Sequence, residues 1–298
     1  MDFDAALSQA WNDHADDPRA VVARWPALQS LATDEPQIER VIGLVQHVHG
    51  VHLGEWQAGT TALQALRVSS AFHAEGSSGE SLRRALACLA LCADASASMG
   101  ALSASDRIRV DAMAADSLLS RDLARAAALL RRALDQAERS ALPDNDPMHR
   151  TLAAVTHNIA CTLEEKADRS GAERALMLVA SQASRHHWER AGTWLNVERA
   201  EYRLAMTWLQ AGDPALARAH AQACIDIVAA NDAPALERLF GWEALGLAAR
   251  AAGDSAEHGR ALAMARTAFA ALSDADRGWC QASLDKLAAD SNPQRISP

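Results

Sequence analysis

Apolar residues recur every three or four positions along most of the chain. One stripe contains Leu123, Leu130 and Leu134, and another contains Ala221 and Ile225. This spacing places side chains on one face of an α-helix, whereas a strand would alternate every second residue. The pattern therefore predicts roughly fourteen amphipathic helices and no competing strand.

Turn residues separate these helices. Gly212 is suited to the left-handed conformation that ends a helix, Asp213 to the cap of the next helix and Pro214 to its first turn. Together they predict a tight helical hairpin. Similar caps, including capping boxes at Ser77 and Ser170, are expected at Asp17, Ser77, Asp146, Ser170 and Ser273.

Composition supports an all-α fold. Of the 298 residues, 68 are alanine and seven are isoleucine, and aromatic residues make up only 4%. Alanine favours helices, and large sheets need β-branched and aromatic residues. The net charge of -9 gives no overall attraction to a phosphate backbone, so we expect no nucleic acid partner.

The chain has no pattern that would send it across or into a membrane. It begins with an acidic stretch, Met1 to Asp4, where a secretory signal would be basic, and no apolar run approaches the 18 or so residues of a membrane span. Five cysteines are an odd number in a chain long enough to bury a core, which argues against a disulfide scaffold. We expect a cytoplasmic protein with reduced cysteines and no membrane partner.

An internal repeat is visible in the second half. The Ala-Gly-Asp sequence ending at Asp213 recurs 41 residues later, ending at Asp254, and Trp242, Leu245 and Gly246 precede the second copy. With these residues the chain resembles the tetratricopeptide repeat (TPR) family. Weaker copies centre on Asp122 and Asp168.

This resemblance implies an all-α fold, a right-handed α-solenoid of antiparallel helix pairs forming a TPR-like superhelix. The turn aspartates are 46, 45 and 41 residues apart, against about 34 in the standard repeat, so the chain is similar to bacterial proteins with long repeats. We expect diverged helical pairs over residues 1–100, continuous with the solenoid, TPR-like repeats over residues 104–290, and a flexible tail over residues 291–298.

The resemblance also implies a binding surface, because set positions of the first helix in each TPR repeat line a concave groove. In this chain the richest polar helix at those positions is the one that contains Arg199 and Arg203. The expected peptide-binding residues are His157, Asn158, Glu165, Arg199, Tyr202, Arg203, Met206, Gln210 and Glu243. A solvated helix face explains the same pattern equally well.

The chemistry of this face suggests its ligand. Arg199 and Arg203 are one helical turn apart, with Tyr202 between them, and could bind an acidic or C-terminal group of a peptide. Glu243 would then favour a peptide with a basic residue beside that group. The carboxylate clamp of chaperone-binding TPR members is absent, because His157 and Tyr202 replace its lysines, so an adaptor for chaperone tails is disfavoured.

Two constellations could carry chemistry. His47, His49 and His52 lie close in sequence, but an α-helix turns His47 far from His49, and metal sites need three or four converging ligands, so no metal is expected there. His157 and Cys161 are one turn apart, yet a straight helix provides no oxyanion hole, so a thiol enzyme is disfavoured. We expect no catalytic residue, no metal and no cofactor.

The sequence therefore predicts a non-catalytic scaffold that binds a peptide or a partner protein in a concave groove. The alternative is a regulatory sensor that encloses a small ligand or signalling peptide, as the resemblance to bacterial helical-repeat regulators implies. A thiol or metal enzyme is a third and weaker interpretation.

Overall fold

The computed structural model describes residues 2–289, and the expected tail at residues 291–298 lies outside this range. The prediction of an all-α protein is confirmed. Helices account for 79% of the structure, and the described residues contain no strand. Fifteen α-helices are present between residues 2 and 289, and they pack against their neighbours.

The chain divides into two compact units, residues 1–155 and 156–298. The division falls inside a helix. The helices that begin in the first unit are α1 (Phe3–Asp13), α2 (Pro18–Val22), α3 (Trp25–Leu31), α4 (Glu35–His47), a π-helix (Val48–Leu53), α5 (Trp56–Ala65), a short 3-10 helix (Leu66–Val68), α6 (Ser77–Ala93), α7 (Ala104–Leu118), α8 (Leu123–Arg139) and α9 (Pro147–Glu165), which ends in the second unit. The second unit continues with α10 (Gly171–Ala191), α11 (Trp194–Ala211), α12 (Pro214–Ala230), α13 (Ala235–Ala251), α14 (Ser255–Ala270) and α15 (Asp274–Ala288).

The predicted helix ends are mostly confirmed. Gly212 and Gly253 have φ angles of +85° and +76°, the left-handed conformation that ends α11 and follows α13. Asp213 caps α12 by accepting a hydrogen bond from the Leu216 N–H at 3.0 Å. Side-chain caps are also present at Asp17, Asp146, Ser170 and Ser273.

The capping box expected at Ser77 is wrong. Helix α6 begins at Ser77 itself and is preceded by Gly76, which has no capping side chain. The Ser77 hydroxyl donates instead to Glu39, and the next hydroxyl, Ser78 Oγ, donates to Glu35 Oε1 at 2.8 Å. Contacts between helices have replaced the local cap.

Each unit has a hydrophobic core of its own. In the first unit, Leu7, Ile38 and Leu63 belong to one large cluster of buried side chains. In the second unit, small buried residues such as Ala205 and Ala244 let helices approach closely.

The order of packing in the second unit follows the two Gly-Asp turns. Helix α11 packs against α12, and α13 packs against α14. Helix α13 also contacts α11 and α15. As a result, side chains from α11, α13 and α15 meet along one face of the second unit, where they form a cavity.

Candidate functional site

A cavity of about 370 Å³ opens in the second unit. This volume lies at the lower end of the range for ligand pockets, about 300–1,000 Å³. Helices α9, α11, α13 and α15 all contribute to it. The lining residues are His157, Glu198, Arg199, Tyr202, Arg203, Leu236, Glu237, Phe240 and Trp279.

Helix α11 supplies four of these residues. Its spacing explains why they meet, since residues four apart lie one above the other on a helix, as Glu198 and Tyr202 do, and Arg199 and Arg203 do. The helix begins at a defined position because the main-chain N–H of Thr193 donates to Asn196 Oδ1 at 3.0 Å. The local sequence thus fixes where α11 begins and which of its residues share a face.

Both arginines already have carboxylate partners. Arg199 Nη2 lies 2.6 Å from Glu237 Oε1 of α13, and Arg203 Nη1 lies 2.7 Å from Glu164 Oε2 of α9. The Glu237 side chain is almost fully buried, whereas that of Arg199 is 56% exposed. This face therefore does not offer two free guanidinium groups to an acidic ligand.

Aromatic side chains form another part of the wall. The ring of Tyr202 packs edge-on against Phe240 at a centroid distance of 5.4 Å, and Phe240 packs in the same way against Trp279 at 5.6 Å. The Tyr202 hydroxyl donates to Glu243 Oε2 at 3.1 Å, which fixes its ring. Trp279 is 68% exposed, so a large apolar face stands open at the cavity.

Glu198 is the least satisfied polar group at the cavity. Its side chain is fully buried, and neither carboxyl oxygen has a hydrogen-bond donor among the described residues. The Glu237 carboxyl lies beside it. Burial and the negative charge of Glu237 raise the pKa of Glu198 to about 8. The Glu198 carboxyl therefore holds its proton at neutral pH.

The surroundings of His157 and Cys161 favour the uncharged form of each side chain. Burial, and then the charges of Arg203 and Arg199, lower the pKa of His157 to about 4, so its ring is neutral at pH 7. Burial raises the pKa of the Cys161 thiol. A neutral imidazole and a protonated thiol lack the thiolate that a cysteine nucleophile needs.

The structure brings four of the nine expected residues together at the cavity, namely His157, Arg199, Tyr202 and Arg203. Glu243 is buried behind Tyr202. The remaining four lie elsewhere. Asn158 and Glu165 are exposed, and Met206 and Gln210 line a separate depression of about 390 Å³.

Five lining residues were not predicted from the sequence, among them Glu237, Phe240 and Trp279. Counting along the TPR consensus gave only Glu243 from α13, one helical turn beyond the positions that reach the cavity. Glu237 and Phe240 are three residues apart and therefore share a face of α13, and this spacing is visible in the sequence. Trp279 belongs to α15, outside the region of clear resemblance to TPR repeats.

Comparison of the chain with known protein families, curated proteins and solved structures finds no match. Across residues 2–289, every helix is too short or too polar to cross a membrane. The cavity itself is therefore the basis for inferring a function.

Proposed function

We propose that the chain is a non-catalytic, cytoplasmic binding protein of the TPR-like type that holds a peptide, or a segment of a partner protein, by a cationic group in the cavity. In this proposal the helix pairs of the second unit are antiparallel repeats of a right-handed solenoid. The packing of α11 on α12 and of α13 on α14 supports it. Five free cysteines agree with a reducing compartment.

The buried, unpartnered carboxyl of Glu198 is the observation that carries the proposal. A buried polar group without a partner costs about 1–3 kcal/mol, and the Arg199 guanidinium bonds to Glu237 and leaves the Glu198 oxygens without a donor. An ammonium or guanidinium group would supply the missing donors. It would also take the place of the proton on Glu198 in offsetting the negative charge of the two carboxyl groups.

The aromatic wall favours the same ligand. Phe240 and Trp279 present ring faces or edges beside the carboxyl pair. A cation over an aromatic face gains about 0.5–2 kcal/mol, with tryptophan the best partner. The side chain of a lysine or arginine, or the N-terminus of a peptide, combines an apolar stem with a cationic head and suits both parts of the wall.

Arg203 does not oppose this ligand, because Glu164 neutralises it. Arg199 is the positive charge that bonds to Glu237 of the carboxyl pair, and its side chain is more than half exposed. Arg199→Ala therefore discriminates between ligands. The variant should keep or strengthen the binding of a basic peptide, whereas it should weaken the binding of an acidic one.

The test is a screen of the full chain against a bead-displayed library of random heptapeptides. We expect enrichment of peptides with lysine, arginine or a free N-terminus. The double variant Glu198→Gln with Trp279→Ala should recover them at least about 10-fold less well, the equivalent of about 1.4 kcal/mol. Glu165→Gln, an exposed change on α9, is the matched control. Equal recovery by the double variant, or enrichment of acidic peptides that Arg199→Ala abolishes, would contradict the proposal.

A sensor for a small ligand is the second candidate, and the volume of the cavity favours it. About 370 Å³ accommodates one small molecule as well as one side chain. A small amine would meet the same carboxyl pair. Native mass spectrometry of the protein purified from its own cells separates the two candidates, since a small ligand would give an adduct that Trp279→Ala loses.

A further inference from the structure

Three histidines converge in the first unit, from separate parts of its sequence. His14 follows the end of α1, His47 is the last residue of α4 and His52 belongs to the π-helix. One ring nitrogen from each lies within 4.8 Å of the other two. The Nε2 atoms of His47 and His52 are 3.2 Å apart, and the three ring centroids are 4.8 to 5.1 Å from one another.

The π-helix brings His47 and His52 together. In an α-helix, residues five apart point about 140° away from each other. A π-helix is closed by bonds between residues five apart, so residue i+5 lies above residue i, and single π turns often mark functional sites. Here the wide turn over Val48–Leu53 sets the two imidazoles side by side.

A contact from a later part of the unit holds this turn in place. Gly54 ends the π-helix in the left-handed conformation, with φ +65°. The Arg121 guanidinium donates to the carbonyl oxygens of Val51 at 2.8 Å and His52 at 3.0 Å. A Cβ atom at Gly54 would collide with the Arg121 guanidinium, so a larger residue there would displace this contact.

The rings are also oriented as metal ligands are. His14 Nδ1 lies 2.5 Å from the carbonyl oxygen of Trp11, so this nitrogen carries the proton and Nε2 keeps its lone pair. The indole of Trp11 packs against the rings of His14 and His47, at centroid distances of 5.1 and 5.4 Å.

We propose that His14, His47 and His52 form a binding site for a divalent transition-metal ion, with Zn²⁺ as the best fit. Zinc bonds imidazole nitrogens at about 2.0–2.1 Å in a tetrahedron, so two ligating nitrogens lie about 3.3 Å apart. The 3.2 Å between His47 and His52 agrees with that edge. Three histidines leave the fourth position to water or an exchangeable ligand.

The neighbouring His49 is excluded from this site. Trp25 Nε1 lies 3.5 Å from His49 Nε2, within the buried core of the unit. The expectation that no metal binds in this region considered His47, His49 and His52 as one α-helical group. The third ligand is instead His14, 33 residues before His47.

The test is a titration of the full chain, stripped with a chelator, with Zn²⁺ against a chromophoric competitor. We expect one Zn²⁺ per chain, and His14→Gln, His47→Gln and His52→Gln should each weaken binding by at least about 10-fold. The exposed His73→Gln should bind as the native protein does. Co²⁺ should give the intense visible absorption of a tetrahedral site, which each of the three variants loses.

His14→Gln protects the test from a failure to fold, because His14 is half-exposed at a helix end. Its circular dichroism should match that of the native protein while its affinity for Zn²⁺ falls. Zn²⁺ binding unchanged in both His14→Gln and His52→Gln, or no stoichiometric binding to the native chain, would overturn the proposal.

Discussion

The buried carboxyl of Glu198 should make the stability of the second unit fall as the pH rises. Its pKa is about 8 in the folded chain, against a usual value of 4.5. A carboxyl group with a raised pKa takes up its proton on folding. The unfolded chain gives up that proton above pH 4.5, so the cost of folding is absent below this value, grows with pH and levels off near pH 8.

Glu198→Gln removes this cost, because an amide is neutral at every pH and its N–H groups can donate to Glu237. Each pH unit between 4.5 and 8 is worth about 1.4 kcal/mol, so between pH 5 and pH 7 the variant should gain about 2–3 kcal/mol in the free energy of unfolding relative to the native chain. At pH 5 the two proteins should differ by less than about 1 kcal/mol from this source.

Denaturant unfolding followed by circular dichroism at pH 5, 6 and 7 measures this gap. Glu165→Gln, an exposed glutamate of α9, is the control and should keep a constant gap to the native chain. A constant gap between Glu198→Gln and the native chain across this range would refute the raised pKa of Glu198.

Two further predictions concern the turn after α13 and the thiol of α9. Gly253→Val should lower the free energy of unfolding by about 1–2 kcal/mol, because Gly253 has φ +76°. A Cβ atom there would meet no other atom within 4 Å, so the cost comes from the backbone conformation alone. Gly259→Ala is the control, because Gly259 lies inside α14 and is equally open, and this variant should be neutral or stabilising. An equal loss of stability in the two variants would contradict the role of the φ angle. Burial raises the pKa of the Cys161 thiol, so iodoacetamide at pH 7 should label it more slowly than a free cysteine, and rapid labelling would revive a thiol enzyme.

The fold was largely predictable because its signals are local. A stripe of apolar residues and a cap such as Asp213 act within one helix, and both are confirmed in the structure. Ser77 is the exception, because its hydroxyl donates to Glu39 on another helix and does not cap its own helix. Local rules fail where a contact distant in sequence offers the side chain a better hydrogen bond.

The site was predictable only in part, for the same reason. The face of α11 could be read from the spacing of Arg199 and Arg203, but their partners Glu237 and Glu164 lie on other helices. The carboxyl pair depends on which residues of α13 turn toward α11, and residue spacing along one helix does not determine that. The π turn at His52 could not be found as long as α-helical geometry was assumed throughout.

Nuclear magnetic resonance can show whether the cavity selects a cationic group. The full chain is titrated with Nα-acetyl-lysine methylamide and with the matching glutamate compound, and the indole N–H of Trp279, assigned with Trp279→Phe, is followed. The lysine compound should shift this signal in the native protein and not in Glu198→Gln, and the glutamate compound should leave it unmoved. A shift caused equally by both compounds, or by the glutamate compound alone, would contradict the account.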